Sequence, residues 1–305
     1  MSAAPDHLAF TADGSGSRVV LVHGFTQTAR SWAAVAAGLV RDHRTVSVDL
    51  PGHGASSRVQ ADLWRTADFV AGAGGRATYV GYSLGARACL HLALRHQHLV
   101  ERLVLLGATA GIDDPVERAA RRDADEALAR SIETDGVDAF LDRWLDQPLF
   151  AGLPASARTG QALVDRRTNT VEGLASSLRL CGTGTMDPPL WDRLAELRVP
   201  VLVLAGSFDP KFTALGHRLA DGIGPNARFE AVPGAGHAAH LEQADGFTRV
   251  LRSWLDVSRS SGGDGDAQGQ QAPEQELDLT GADQHGDQVG SEGALEHQQH
   301  GPLSQ

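Results

Sequence analysis

The chain has 305 residues and a formal net charge of −11, and nine of its acidic residues fall after residue 259, where Lys and Arg are absent. The first 259 residues are therefore close to neutral, with arginines interspersed among acids, which excludes the basic stripe that nucleic-acid binding requires. The amino-terminal MSAAPDHLAF lacks the basic and apolar regions of a secretory leader, and no run of about 18 apolar residues occurs, so a cytoplasmic protein without membrane insertion is expected.

Short β-branched runs that end at glycine or polar residues recur along the chain: VVLVHG (19–24), TVSVDLPG (45–52), ATYVGYS (77–83), ERLVLLGA (101–108), VPVLVLAG (199–206) and ARFEAVPG (227–234). Their apolar character is nearly continuous rather than alternating, as in strands covered on both faces, and helical patterns such as SWAAVAAGLV and ARACLHLALRH lie between them. This predicts a mostly parallel, doubly wound α/β sheet.

About 90 residues with no strand pattern separate the runs near 101 and 199. They open on Asp113-Asp114-Pro115, an acid-then-proline helix start, followed by a stripe over 116–132, a second helix over 136–145 and a third near 170–180. The expected organisation is a core of 1–110 and 191–257, a helical cap of 111–190 inserted before the penultimate strand, and a disordered acidic tail of 258–305 that cannot bury enough apolar surface to fold. Cys89 and Cys181 have neither CxxC spacing nor neighbouring histidine clusters and read as buried free thiols.

GYSLGAR at 81–87 puts Ser83 between two glycines directly after a strand and at the start of a helix, the setting of a G-x-S-x-G nucleophile elbow. A serine hydroxyl needs a histidine to take its proton and a carboxylate to orient that histidine. Asp209, just past the strand at 199–206, and His237, just past the last strand, follow in the expected order and at carboxyl ends of strands. Asp113 and Asp114 are alternative acids, although both suit helix capping, and His240 is three residues beyond His237 on the following helix. The backbone N–H groups of Leu84 and Phe25 are the candidate oxyanion hole. His53 reads as structural, and His91, His96 and His98 as surface residues rather than metal ligands, so no metal is assigned.

The motifs HGF (23–25), DLPGHG (49–54) and the three triad positions resemble the α/β-hydrolase fold. ERAARRDADEALA, WLDQPLF, RRTN, GSFDPKF and AGHAAHLE narrow the resemblance to the 2-succinyl-6-hydroxy-2,4-cyclohexadiene-1-carboxylate synthases of menaquinone biosynthesis, over about residues 8 to 256. That resemblance implies a cofactor-free lyase that takes a proton beside a succinyl ketone and expels an enolpyruvyl group as pyruvate, with Ser83 as the base. It also implies a polycarboxylate substrate held by Arg87, Arg121 and Arg167, with Trp144 and Tyr82 as further contacts and Arg122 the alternative to Arg121. Leu145 departs from the family pattern, which has tyrosine after the tryptophan, and this bears on pocket polarity. The competing function is a serine esterase, thioesterase or C–C bond hydrolase that forms an acyl-Ser83 intermediate.

Overall fold

The structure, a computed structural model, describes residues 7–256; the acidic tail expected over 258–305 lies outside the described residues. In chain order the elements are β1 (Phe10–Asp13), β2 (Ser17–Val22), α1 (Ala33–Leu39), β3 (His43–Val48), α2 (Leu63–Gly74), β4 (Ala77–Tyr82), α3 (Leu84–Arg95) and β5 (Val100–Leu106). They continue with α4 (Pro115–Leu145), α5 (Ala155–Arg158), α6 (Gly160–Arg166), α7 (Val171–Cys181), β6 (Val201–Gly206), α8 (Pro210–Ile223), β7 (Ala227–Val232), α9 (Ala239–Glu242) and α10 (Ala244–Asp256).

Seven strands form one sheet in the order β1-β3-β2-β4-β5-β6-β7, parallel throughout except for β1, which runs antiparallel to β3. The six apolar runs are the six parallel strands. β4 and β6 are buried along their whole length, which is why they read as continuous hydrophobic runs. β1 has no such signal: its four residues, FTAD, are all exposed, and their place comes from pairing with β3 at the sheet edge.

Helix starts follow local chemistry. Asp114 caps α4 by accepting from the N–H groups of Val116 and Glu117 at 2.8 and 2.9 Å, with Pro115 in the first turn. Asp113 is ion-paired with Arg218 at 2.6 Å. Neither rival acid therefore approaches His237, whose carboxylate partner is Asp209. The two helices expected over 116–132 and 136–145 meet at Gly136, whose φ of 80° interrupts α4 where other residues would be strained.

α3 leaves the centre of the sheet and is buried at ten positions, Leu84 through Ala93. This corrects the expectation for His91. It is buried on α3, stacked edge-on against Trp64 of α2 at 4.6 Å, with Nδ1–H donating to the Arg87 carbonyl at 2.7 Å. Cys89 and Cys181 are both buried free thiols, pushed up in pKa by burial, to about 11 for Cys181.

Burial also lowers the pKa of His23 to about 4, of His53 to about 3 and of His91 to about 4. The unfolded chain takes up these protons below about pH 6.5 and the folded chain resists them, so stability should rise with pH through the window from roughly 4 to 6.5. Urea midpoints measured between pH 7 and 5 are expected to fall, with a slope of up to about 1.4 kcal/mol per pH unit for each histidine. Midpoints independent of pH would mean that the fold accommodates the imidazolium forms.

Candidate active site

β4 ends at Tyr82 and α3 begins at Leu84, so Ser83 alone makes the turn between them, at φ 52° and ψ −107°. A non-glycine residue in this region is strained by about 1–3 kcal/mol and persists only where its surroundings enforce it. A Cβ on Gly81 would collide with the Gly85 carbonyl, and one on Gly85 with the Val22 and His23 carbonyls, so the motif glycines permit the close approach of strand and helix. Leu84 opens α3, where its N–H has no intrahelical acceptor.

Asp209 follows β6 and performs two tasks. Its Oδ1 caps α8 by accepting from the Phe212 N–H at 3.1 Å, and its Oδ2 accepts from His237 Nδ1–H at 2.8 Å. With Nδ1 committed as a donor, Nε2 carries the lone pair. His237 and Ser83 line the same cleft, together with Phe25, Tyr82 and Leu84. Glu242, which sequence reasoning passed over, fixes the histidine loop: its carboxylate accepts from the N–H groups of Gly236 and Ala238 at 2.6 and 3.0 Å, one on each side of His237. Gly107, at φ 60°, lets the end of β5 approach the imidazole, because a Cβ there would stand 2.9 Å from His237 Cε1.

His240 lies on α9 as expected, but it faces the interior. Its ring stacks 4.4 Å from both Trp32 and Tyr82, and burial holds its pKa well below the ordinary value. His53 is structural: its Nδ1–H donates to the Pro51 carbonyl at 2.9 Å and its Nε2 accepts from the Thr26 N–H at 3.3 Å.

Arg87 and Arg121 line the cleft, as does Trp144, which meets Phe25 edge-on at 5.3 Å. Arg87 is 8% exposed, donates to the Cys181 carbonyl, and has its pKa lowered to about 10 by burial, so it is still a cation at neutral pH. Arg121 pairs with the buried Asp125 at 2.9 Å, while Arg122 pairs with Asp187 at 3.6 Å and does not line the cleft. The expectation for Arg167 is corrected. It ends α6 pointing outward and pairs with Asp138 at 2.9 Å with 43% of its side chain exposed. Arg166, one position earlier, is buried and lines the cleft in its place, its pKa also lowered to about 10 by burial.

Lys211 adds a fourth cation, and among the described residues no Asp or Glu lines the cleft. Leu145 is not among the residues that line it; it is buried in the apolar cluster with Phe150 and Leu153, behind the cleft wall that Trp144 and Phe150 help form.

The model of the alpha/beta hydrolase family matches residues 19–250. The chain belongs to the α/β-hydrolase family. That match makes it an enzyme of the α/β-hydrolase superfamily. A putative 2-succinyl-6-hydroxy-2,4-cyclohexadiene-1-carboxylate synthase of Bacillus subtilis is 33% identical over 250 residues, covering 78% of this chain and 89% of the relative. The 2-succinyl-6-hydroxy-2,4-cyclohexadiene-1-carboxylate synthase of Serratia proteamaculans is 31% identical over 245 residues, covering 78% and 92%. The solved structure of MenH from S. aureus superposes with a TM-score of 0.74 at 28% identity, covering 83% of this chain and 99% of that one. Among the described residues no helix is long and apolar enough to cross a membrane.

Proposed function

We propose that the chain is a lyase that eliminates pyruvate from 2-succinyl-5-enolpyruvyl-6-hydroxy-3-cyclohexene-1-carboxylate, giving 2-succinyl-6-hydroxy-2,4-cyclohexadiene-1-carboxylate for menaquinone biosynthesis. The observation that carries this reading is the charge of the cleft: Arg87, Arg121, Arg166 and Lys211 converge on it without a lining carboxylate among the described residues, in a body whose first 259 residues are close to neutral. Arg87 and Arg166 are buried cations, neither of them in an ion pair among the described residues, and only Arg87 is supported from further off by a carboxylate, that of Asp125. Such burial is costly unless an anion arrives to share charge-assisted hydrogen bonds. The proposed substrate brings three carboxylates, and planar guanidinium groups grip them in pairs of bonds that a neutral ester cannot form.

In this mechanism His237 Nε2 takes the Ser83 hydroxyl proton, and Ser83 Oγ takes the substrate's C2 proton, which is acidified by the succinyl ketone. The electrons of the C2–H bond form C2=C3, the former C3=C4 pair forms C4=C5, and the C5–O bond breaks to release the enolate of pyruvate, which takes up a proton, so that the one His237 gained is returned, and becomes pyruvate. The amides of Phe25 and Leu84 hold the enolate oxygen that develops on the ketone, the same service they would give a tetrahedral oxyanion. Phe25, Trp144 and Phe212 wall the cleft and limit water.

The deciding experiment supplies the enolpyruvyl compound and follows diene absorbance together with free pyruvate. Stoichiometric appearance of both is expected; trapping of an acyl-Ser83 ester without diene would replace the lyase with a serine hydrolase. Arginine assignment gives an independent check. Arg166→Ala should lower kcat/KM by roughly one to two decades, the worth of a charge-assisted contact of about 1.5 to 3 kcal/mol, whereas Arg167→Ala should stay within about twofold of wild type. The reverse ranking would restore Arg167 to the site.

A further inference from the structure

Thr26 holds a backbone that its side chain disfavours. Its φ is 67°, and among the described residues only Ser83 shares a positive φ without being glycine. A β-branched residue stays in this region only when its neighbours over-determine it. Three ties do so. The Thr26 N–H donates to His53 Nε2 at 3.3 Å, its Oγ1 accepts from Arg166 Nη1 at 2.6 Å, and its carbonyl accepts from Asn169 Nδ2 at 2.8 Å. Asn169 is buried and is anchored in turn, because its Oδ1 accepts from the Gly54 N–H at 2.8 Å. Both ends of the amide are thus committed, one to a donor and one to an acceptor, and Asn169 links the loop after β2 to the loop after β3. Two of the three ties reach Thr26 from residues 140 and 143 positions away, in the insertion between β5 and β6.

We infer that Asn169 is a positioning residue for the oxyanion hole: with Arg166 it holds Thr26 in its strained conformation and so aims the neighbouring Phe25 N–H at the cleft beside Ser83. The inference rests on the Phe25 and Leu84 amides forming that hole. Releasing Thr26 lets it relax toward ordinary backbone angles, which turns the Phe25–Thr26 peptide and with it shifts Phe25, whose N–H lies one peptide further back. Because Arg166 also lines the cleft, a carboxylate gripped by its guanidinium bears on the group that holds the oxyanion loop. Substrate charge and oxyanion geometry are thereby joined through one side chain.

The test uses Asn169→Ala, together with the pair Thr26→Val and Thr26→Ser, on the full chain with two readouts. One is diene formation from the enolpyruvyl tricarboxylate. The other is the burst of p-nitrophenolate when diethyl p-nitrophenyl phosphate phosphorylates Ser83: the Oγ–P bond forms, the P–O bond to p-nitrophenolate breaks, and the serine proton passes to His237. Outright loss of an oxyanion donor costs about 10²–10³ in kcat, and a misaimed donor less. Asn169→Ala should therefore lower kcat roughly 10- to 100-fold with KM within about threefold, and slow phosphorylation by a similar factor. Thr26→Val, which keeps the branched shape but cannot accept from Arg166, should fall likewise, and Thr26→Ser should recover most of the loss. A lowered melting temperature with unchanged kcat and phosphorylation rate at a temperature where the variant is folded would reduce Asn169 to a structural staple and overturn the inference. So would a rise in KM alone. Wild type that is phosphorylated but forms no diene would remove the lyase and leave the positioning role standing on the phosphorylation arm; wild type inert in both assays would remove the hole and the inference with it.

Discussion

Ser83→Ala and His237→Ala should each lower kcat for diene formation by at least about 10³-fold, and the double variant should be no slower than the worse single one. The reason is that the groups act as one unit: the serine is a useful base only when His237 Nε2 accepts its proton, and the histidine has no other route to the substrate's C–H bond. Asp209→Asn should be milder. The amide can keep Oδ1 on the Phe212 N–H and so preserve the start of α8, yet it loses the anion that steadies imidazolium beside Nδ1. Stopped-flow diene absorbance measures all of these, with melting curves to confirm folding. Additive losses, or an Asp209→Asn variant with wild-type kcat, would break the proposed proton relay. Asp113 and Asp114 offer no substitute, occupied as they are with Arg218 and the α4 cap.

Arg87→Ala should produce the second large effect, and its size should depend on the charge of the substrate. Arg87 sits one helical turn after Ser83, is buried, and spends one N–H on the Cys181 carbonyl, which leaves the rest of its fork for a ligand. Its removal should cost about 1.5 to 3 kcal/mol of transition-state binding to the tricarboxylate, or roughly one to two decades in kcat/KM. Phosphorylation of Ser83 by a neutral phosphotriester should be nearly untouched, since that reagent offers no carboxylate. Equal losses in both reactions would mean that Arg87 supports the elbow itself; no loss in either would remove the charge argument for the lyase. The second-site effect on the Cys181 carbonyl is checked by melting temperature, because an unpaired buried carbonyl lowers stability regardless of substrate.

The parts of the site that were legible in the sequence are those governed by neighbours in the chain. The elbow needs glycine two residues before and after its serine because strand and helix backbones nearly touch there, and both glycines lie within GYSLG. Asp209 follows β6, whose burial on both faces imposes an uninterrupted apolar run, so its end can be located without a structure; His237 follows β7, an edge strand with only Val232 buried, whose end is marked instead by Pro233-Gly234. The Asp-Pro start of α4 is equally local, a cap and a pre-set φ in consecutive residues.

What lay beyond the sequence depends on groups brought together from far apart. The two arginines of RRTN are indistinguishable by type, and α6 is too short to show a periodic face; only its docking beside Thr26 buries Arg166 and turns Arg167 toward Asp138. Exposed FTAD becomes β1 solely because β3 presents an edge for it to pair with. His91 shows no sign of burial until α2 covers α3 with Trp64. By itself the sequence determined the six parallel strands, the glycine-flanked elbow and the order of the candidate triad, since backbone sterics, apolar runs and turn residues write those into adjacent positions. The tertiary structure alone decided which cations face the cleft and what ties Thr26 in place, because a side chain's direction at the end of a short helix is set by the long-range hydrogen bonds and packing it meets there.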